Sequence, residues 1–475
     1  MSSRTVYDIA QAETDKIVRT NKAFYIIVVL VILGTFFDGI EQYNSGYAAP
    51  FISSVLKVPA LQLNTDVTLV TFFFFAVGAV VAGFMGDYIG RRFLYSFNLL
   101  VYTLGAVIGA LAVSFGMLLL GRAVVGFGLG GEIGTGLTLL SELVPTRIRG
   151  QFTGLLNVGP GFGIFAVAAL ADIFLVFFSG SFGGATTAWR WFLGVMVIPA
   201  LMVFFYRRYI PETPRFLISK GRVDEAFSTI KMLSDGKLLT RKNMLKNYPA
   251  EEMRKLYNYQ GLSVVIEKPT YKDLFVGHQA FRSTLLFVLS FITFGVQVSI
   301  TVLEPILFSS YVSYGSAALT VTTILNISSI IGTLLAAYTG RFRRKLTITG
   351  YGLVVVAMLL AMVAAYTYHF PLYLVVASLF VATTMIFAVN TTVWLYGPEL
   401  YPTRTRDLGT GWVIIGTIAG VLAIVLGAAS VLGSVGFVGY ALLLAALYLI
   451  LVIVMATVGI ETVGKPLEEI SPTQV

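Results

Sequence analysis

The sequence predicts an all-α membrane protein: twelve transmembrane helices in two pseudo-symmetric bundles of six. Three observations carry this. Of the 475 residues, 57% are hydrophobic and only 12% are charged, where a soluble domain carries about 25%. Apolar segments of about 20 residues, the length that crosses a bilayer as a helix, recur along the whole chain. Short motifs of the first half return in the second half in the same order. Helices are the spanning form that fits, because the segments lack the roughly 10-residue alternation of a membrane barrel.

The twelve spans read at roughly 23–50, 66–85, 93–113, 117–142, 151–178, 190–209, 282–309, 315–339, 346–367, 371–397, 408–432 and 436–459. They divide the chain into a first six-helix bundle with its N-terminal lead (1–209), a polar linker (210–281), a second six-helix bundle (282–459) and a tail (460–475). The linker is charged and holds weakly amphipathic runs such as "VDEAFSTIKML", so short helices are expected in it. The first twenty residues are polar and end in no small-residue cleavage site, so no cleavable signal peptide is expected.

Basic residues set the expected orientation. Loops after even-numbered spans read "GDYIGRR", "PTRIRG", "RRYIPETPR", "GRFRRK" and "PTRTR". Loops after odd-numbered spans, such as "SFG", "SYGS" and "SVGF", are almost free of Lys and Arg. The positive-inside rule then puts both termini in the cytoplasm, in a plasma-membrane protein. The net charge of +9 is absorbed by these loops, so no nucleic-acid partner is expected.

The halves repeat. "SELVPTRIRG" (141–150) returns as "PELYPTRTRD" (398–407), each after the fourth span of its half. "GDYIGRR" (86–92) is echoed by "YTGRFRRK" (338–345), with Thr339 where Asp87 stands. "PETPRFL" is answered by "IETVGKPLEEI". A duplicated bundle predicts alternating access, with a substrate site between the halves near the midplane.

Other chemistry is excluded. There are no cysteines, so disulfides and thiolate sites are absent. The two histidines, His278 and His369, lie near helix ends without a ligand at metal spacing, so no metal is expected. No "GxxxxGK[ST]" motif is present, so the reading is a carrier driven by a gradient, not an enzyme and without a cofactor.

Taken together, these motifs resemble the major facilitator superfamily over essentially 23–471. "GDYIGRR" is similar to its loop between the second and third spans. "SELVPTRIRG", "PETPRFL" and "YGPELYPTRTR" resemble the sugar-porter branch and its relatives, which include niacin-type, synaptic-vesicle-like and organic-cation transporters. "DGIEQYNSGYAAP" resembles the first span of aromatic-acid/proton symporters, with Glu41 in place of a second Asp. "GGE" (130–132) is similar to metabolite/proton symporters. Trp394 matches the sugar porters' span-ten Trp, while Asn157 stands where a span-five Gln falls and Asn390-Thr391 replaces the usual Gly-Pro. The resemblance implies a monomeric secondary transporter, a small-molecule substrate and protons as partners. Proton-coupled symport of an organic acid, aromatic acids included, or of a similar metabolite leads; a sugar-type carrier or uncoupled facilitator is the alternative. An organic-cation transporter and a transporter-like sensor follow.

Gly34, Asp38, Glu41, Gln42, Ser45 and Ala49 form one stripe on span one, and the opposite face is aliphatic. Ionisable groups at such depth mark ion or substrate paths. Arg122, near the outer end of span four, lies opposite the two acids by depth. The resemblance to sugar/proton symporters implies that a span-one acid and this Arg serve coupling. Two acids facing one Arg leave one free, and Glu41 is the expected proton carrier. Glu132 lies about 15 Å further along the helix and is a candidate second proton site or substrate contact. Asp172 and Glu304 are expected at the water interface. Gln42, Ser45, Asn157, Gln297, Asn326, Asn390 and Trp394 are candidate substrate contacts, a ring with amides and a hydroxyl. Asp87, Arg91, Arg92, Glu142, Arg147, Arg149, Glu399, Arg404 and Arg406 are expected to form a cytoplasmic gate that latches the halves together.

Overall fold

The structure is a computed structural model that describes residues 6–17, 21–145, 158–259, 270–309, 316–340, 342–401 and 405–462. Expectations placed on Arg147, Arg149, Asn157 and Arg404 lie outside these residues, as do those on the side chains of Asp87 and Arg406.

Among the described residues the fold is helical throughout. Spans one to five are Lys22–Leu56, Ala60–Ile89, Arg91–Ala110, Phe115–Leu143 and Val158–Ala171, the last continuing as a π-helical stretch, Asp172–Phe177. Span six is broken into Ala185–Gly194, a 3₁₀ stretch Val195–Leu201, and Met202–Tyr209. Spans seven to ten are His278–Ser309, Ser316–Thr339, Arg344–Thr367 and Leu372–Leu400. Spans eleven and twelve run together as Arg406–Val458, with a break at Gly436, whose φ of 82° is open to glycine. The twelve-helix architecture is therefore present, with ends that differ from the sequence reading. Span one extends past Pro50 to Leu56 and closes with Lys57 in the left-handed conformation.

Small residues set the helix spacing. A Cβ on Gly130 would collide with the Phe75 carbonyl, and one on Gly126 with the Thr71 carbonyl, so spans two and four meet backbone to backbone. A Cβ on Gly39 would lie 2.6 Å from the Pro160 carbonyl, which brings span five against span one. Between the halves, span eight packs on span five, span eleven on span two, and span seven on spans one and two.

The linker forms short helices, Pro214–Ser219, Val223–Ser234, Arg241–Asn247 and Ala250–Tyr257. Val6–Asp15 adds a helix that the sequence reading did not predict, and it packs on Val223–Ser234. Asn21 joins this layer to span one: its side chain caps Phe24 N and donates to the Leu233 carbonyl at 2.6 Å. Arg254 hydrogen-bonds Asp224 and holds its carboxyl below the ordinary value. Burial alone would raise Glu225, but Arg241 and Arg222 outweigh it and leave it lowered.

Candidate functional site

Span one carries the acids into the first bundle. Glu41 is wholly buried and Arg122 is 2% exposed. Arg122 Nη1 donates to Glu41 Oε1 at 2.9 Å and to Asn44 Oδ1 at 3.0 Å. Its Nη2 donates to the Glu41 carbonyl at 2.9 Å, and its Nε to Thr71 Oγ1 at 3.2 Å. Asn44 Nδ2 closes the ring by donating to Glu41 Oε2 at 2.8 Å. All three guanidinium nitrogens are thus engaged, and Glu41 accepts on both oxygens, the pattern of a carboxylate beside Arg. The expectation that Glu41 is the free acid is corrected: Arg122 takes Glu41. Asp38 points one turn lower, outside this network. Asn44 and Thr71 were not anticipated; Asn44 sits three residues beyond Glu41, at the spacing that faces it.

Asp38 is wholly buried, and neither of its oxygens has a hydrogen-bond partner among the described residues. The same holds for Glu132. Glu132 meets span one at Gly34, one turn from Asp38 on the same stripe, and the two acids interact electrostatically. A Cβ there would lie 2.7 Å from Glu132 Oε1 and 2.8 Å from the Tyr206 hydroxyl, and would collide with that of Tyr95. Tyr102 also faces the two acids. These tyrosines were missed, although Tyr95 and Tyr102 share a face of span three, seven residues apart.

The candidate substrate contacts fall in two places. Gln297 of span seven accepts a hydrogen bond from Asn390 of span ten, and Tyr43 of span one faces Gln297. Trp394, one turn beyond Asn390, packs against the core cluster that holds Tyr43, Tyr47 and Val298. Gln42 and Ser45 are buried on span one. Asn326 sits elsewhere: it donates to the Tyr47 hydroxyl at 2.8 Å and to Glu304 Oε2 at 3.3 Å.

Asn326 belongs to a seam that closes the halves at the end opposite the basic loops. Asn64 donates to the Val302 carbonyl at 2.6 Å, and Thr323 to Asp172 at 2.7 Å. Ser329 donates to the Gly161 carbonyl at 2.7 Å, nearer the middle. Asp172 and Glu304, expected at the water interface, are 6% and 2% exposed. The seam buries them because the two halves meet there.

At the basic end the described ion pairs lie within each half; the latch expected between halves also involves Arg147, Arg149, Arg404 and the side chains of Asp87 and Arg406, which lie outside the described residues. Arg91 reaches Glu142 at 3.5 Å, and Arg215 reaches it at 3.7 Å. Arg344, which the sequence reading did not single out, pairs with Glu399 at 2.7 Å. The two arrangements repeat each other. Glu212 accepts from Arg91 N at 3.0 Å and from Arg92 N at 3.4 Å. Glu461 accepts from Arg344 N at 2.8 Å and from Lys345 N at 3.3 Å. Each Arg also donates to a carbonyl near the end of the second helix of its half, Gly86 and Gly340. Each carboxylate thus holds the start of the third helix of its half against the chain that leaves the sixth. That explains why the motif pairs recur together. Thr339, in the place of Asp87, donates to the Leu335 carbonyl at 2.8 Å.

Comparison with known proteins agrees with this architecture. Residues 24–473 match the family model for "Sugar (and other) transporter". The chain is 27% identical to the niacin transporter NiaP of Acinetobacter baylyi over 462 residues, covering 94% of this chain and 97% of that one. It is 28% identical to the inner membrane metabolite transport protein YdjE of Escherichia coli, covering 86% and 87%. Among solved structures, the proton:xylose symporter XylE bound to a bromodeoxyglucose superposes with a TM-score of 0.70 at 17% identity, covering 94% of this chain and 98% of that one. From the motifs, the repeated helical architecture and this match, the chain belongs to the sugar (and other) transporter family and is a multi-pass membrane transporter of the major facilitator superfamily.

Proposed function

We propose that the protein is a proton-coupled symporter of a small organic solute, with an aromatic acid as the leading substrate class, working by alternating access in the plasma membrane. The observation that carries the reading is the contrast on span one. Glu41 is ion-paired to Arg122, while Asp38, one turn away, is buried and without a hydrogen-bond partner among the described residues. A buried carboxylate that lacks a cation gains by taking a proton. The proposed solute site comprises Gln42, Ser45, Gln297, Asn390 and Trp394; it is supported by the Asn390–Gln297 hydrogen bond and by Tyr43, the neighbour of Gln42 on span one, which faces Gln297. Niacin is an aromatic acid, so the relation to a niacin transporter supports the substrate class.

A second reading is a sugar carrier. It is favoured by Trp394 and by kinship to an arabinose-proton symporter of Bacillus subtilis, 26% identical over 83% of this chain. A thermal-shift screen against aromatic acids, sugars and amines separates the readings, because a ligand that binds the folded state raises its melting temperature. Stabilisation by an aromatic carboxylate is expected. Stabilisation by hexoses or pentoses alone would replace the first reading with the second.

A further inference from the structure

The carboxylates of Asp38 and Glu132 stand outside the Arg122 network, and their surroundings assign them a role of their own. Glu132 of span four reaches span one at the notch left open by Gly34, and Asp38 lies one turn along the same stripe, near enough for the two charges to repel each other. Facing the notch are Tyr95 and Tyr102 of span three and Tyr206 of span six. Tyr206 donates its hydroxyl hydrogen to the Leu30 carbonyl at 2.8 Å. The charged groups acting on Asp38 are Glu132 and Glu41, both acidic. Arg122, the nearby cation, has each of its nitrogens committed to Glu41, Asn44 and Thr71.

Two negative charges without a cation in a closed, water-poor site are strongly unfavourable, through both desolvation and mutual repulsion. A single proton changes this. It removes one charge, and the carboxyl O–H then donates to the remaining carboxylate. That bond is charge-assisted, and it satisfies oxygens that otherwise have no partner. We propose that Asp38 and Glu132 form a proton-sharing dyad that holds one exchangeable proton, and that Glu41 is the fixed counter-ion of Arg122. The proton comes from water and returns to water; no other group is consumed. The assignment rests on the proton-symport reading and deepens it, because it moves the proton from the Arg122 pair to a site between spans one and four. Both helices belong to the first bundle, so the dyad stays intact while the bundles rock, and only its access to water changes.

Infrared difference spectroscopy on the purified protein in nanodiscs tests this, with the C=O stretch of a buried protonated carboxyl as the readout. The wild type is expected to show a dyad band at neutral pH, distinguished from a band of the buried Glu304 by its response to the Asp38 and Glu132 variants. Glu41→Gln is expected to retain it, Asp38→Asn and Glu132→Gln each to displace it, and the double variant to lose it. Asp38→Glu keeps the acid and is expected to move the band without removing it, which covers an Asn variant that fails to fold. A wild type without the band, or a double variant that retains it unchanged, overturns the dyad. The readout needs no substrate. A dyad band in a protein whose uptake ignores a pH gradient would uphold the dyad and sink symport. Gradient-driven uptake without the band would do the reverse.

Discussion

The ring made by Glu41, Asn44, Arg122 and Thr71 sets the energetics at the scale of single residues. Removing one partner of a buried, hydrogen-bonded ion pair strands the other charge, at a cost of about 3–5 kcal/mol. Arg122→Gln and Glu41→Gln should therefore each lower thermal stability markedly, and the double variant should lose less than their sum. Thermal unfolding in detergent measures this; additive losses would mean that the pair is not coupled. Asp38→Asn strands no charge and should leave stability near the wild type. It should reduce uphill uptake more than solute exchange. Equal loss of both, measured in proteoliposomes, would make Asp38 structural. At this scale the sequence was partly legible. The stripe on span one and the depth of Arg122 brought Glu41 and Arg122 together correctly but placed Asp38 with them, where the structure leaves it outside. Which acid Arg122 takes was not legible, because helical phase alone does not distinguish positions one turn apart. Asn44, which decides the matter by bridging both groups, carries no charge to draw notice.

At the scale of elements, close helix contacts depend on glycines that the periodicity of an apolar segment does not reveal. Gly130 faces the Phe75 carbonyl, so Gly130→Leu should force spans two and four apart and abolish transport. Retained uptake at wild-type rate would contradict that packing. The linker layer responds to pH in a defined direction. Asp224 and Glu225 are held below their ordinary values in the folded layer. The stability they contribute is present above the unfolded values, roughly 4 for both, and is lost as the pH falls through their lowered folded values. The protection factors of the amides in Val223–Ser234, which are exchange rates taken relative to the unstructured chain at the same pH, should therefore fall below about pH 4 and stay flat between about pH 5 and 8. Lower protection at neutral pH than at pH 4 would reverse the sign. The linker helices were legible from amphipathic runs. The helix Val6–Asp15 was not, because its apolar face is short and is completed only by Val223–Ser234.

At the scale of the whole molecule, Asp172, Tyr47 and the Gly161 carbonyl accept hydrogen bonds from the second half and Asn64 donates one to it, which joins the two bundles away from the basic loops. Alternating access requires that seam to open. The chain has no native cysteine, so Asp172→Cys with Thr323→Cys gives a clean cross-link across it. Oxidation should block transport and reduction should restore it; full transport by the cross-linked protein would mean that the seam does not gate. The twelve-helix plan, the duplication and the family were legible because hydropathy and motif order record them directly. The seam was not, since Asp172 and Glu304 look like interface residues until the opposite half is placed against them. The pairing at the basic end was only partly legible for a related reason. Paired Arg and Glu motifs in sequence do not say whether they pair within a half or across. The repeated pairs Arg91–Glu142 and Arg344–Glu399 fall within.

The central claim is that a proton gradient drives solute across this membrane. Uptake into proteoliposomes of an aromatic acid found by the thermal-shift screen, under an imposed inside-alkaline pH gradient, tests it most directly. Accumulation above the external concentration is expected, collapsing when a protonophore dissipates the gradient. Equilibration to the external concentration at the same rate, with or without the gradient, would contradict it.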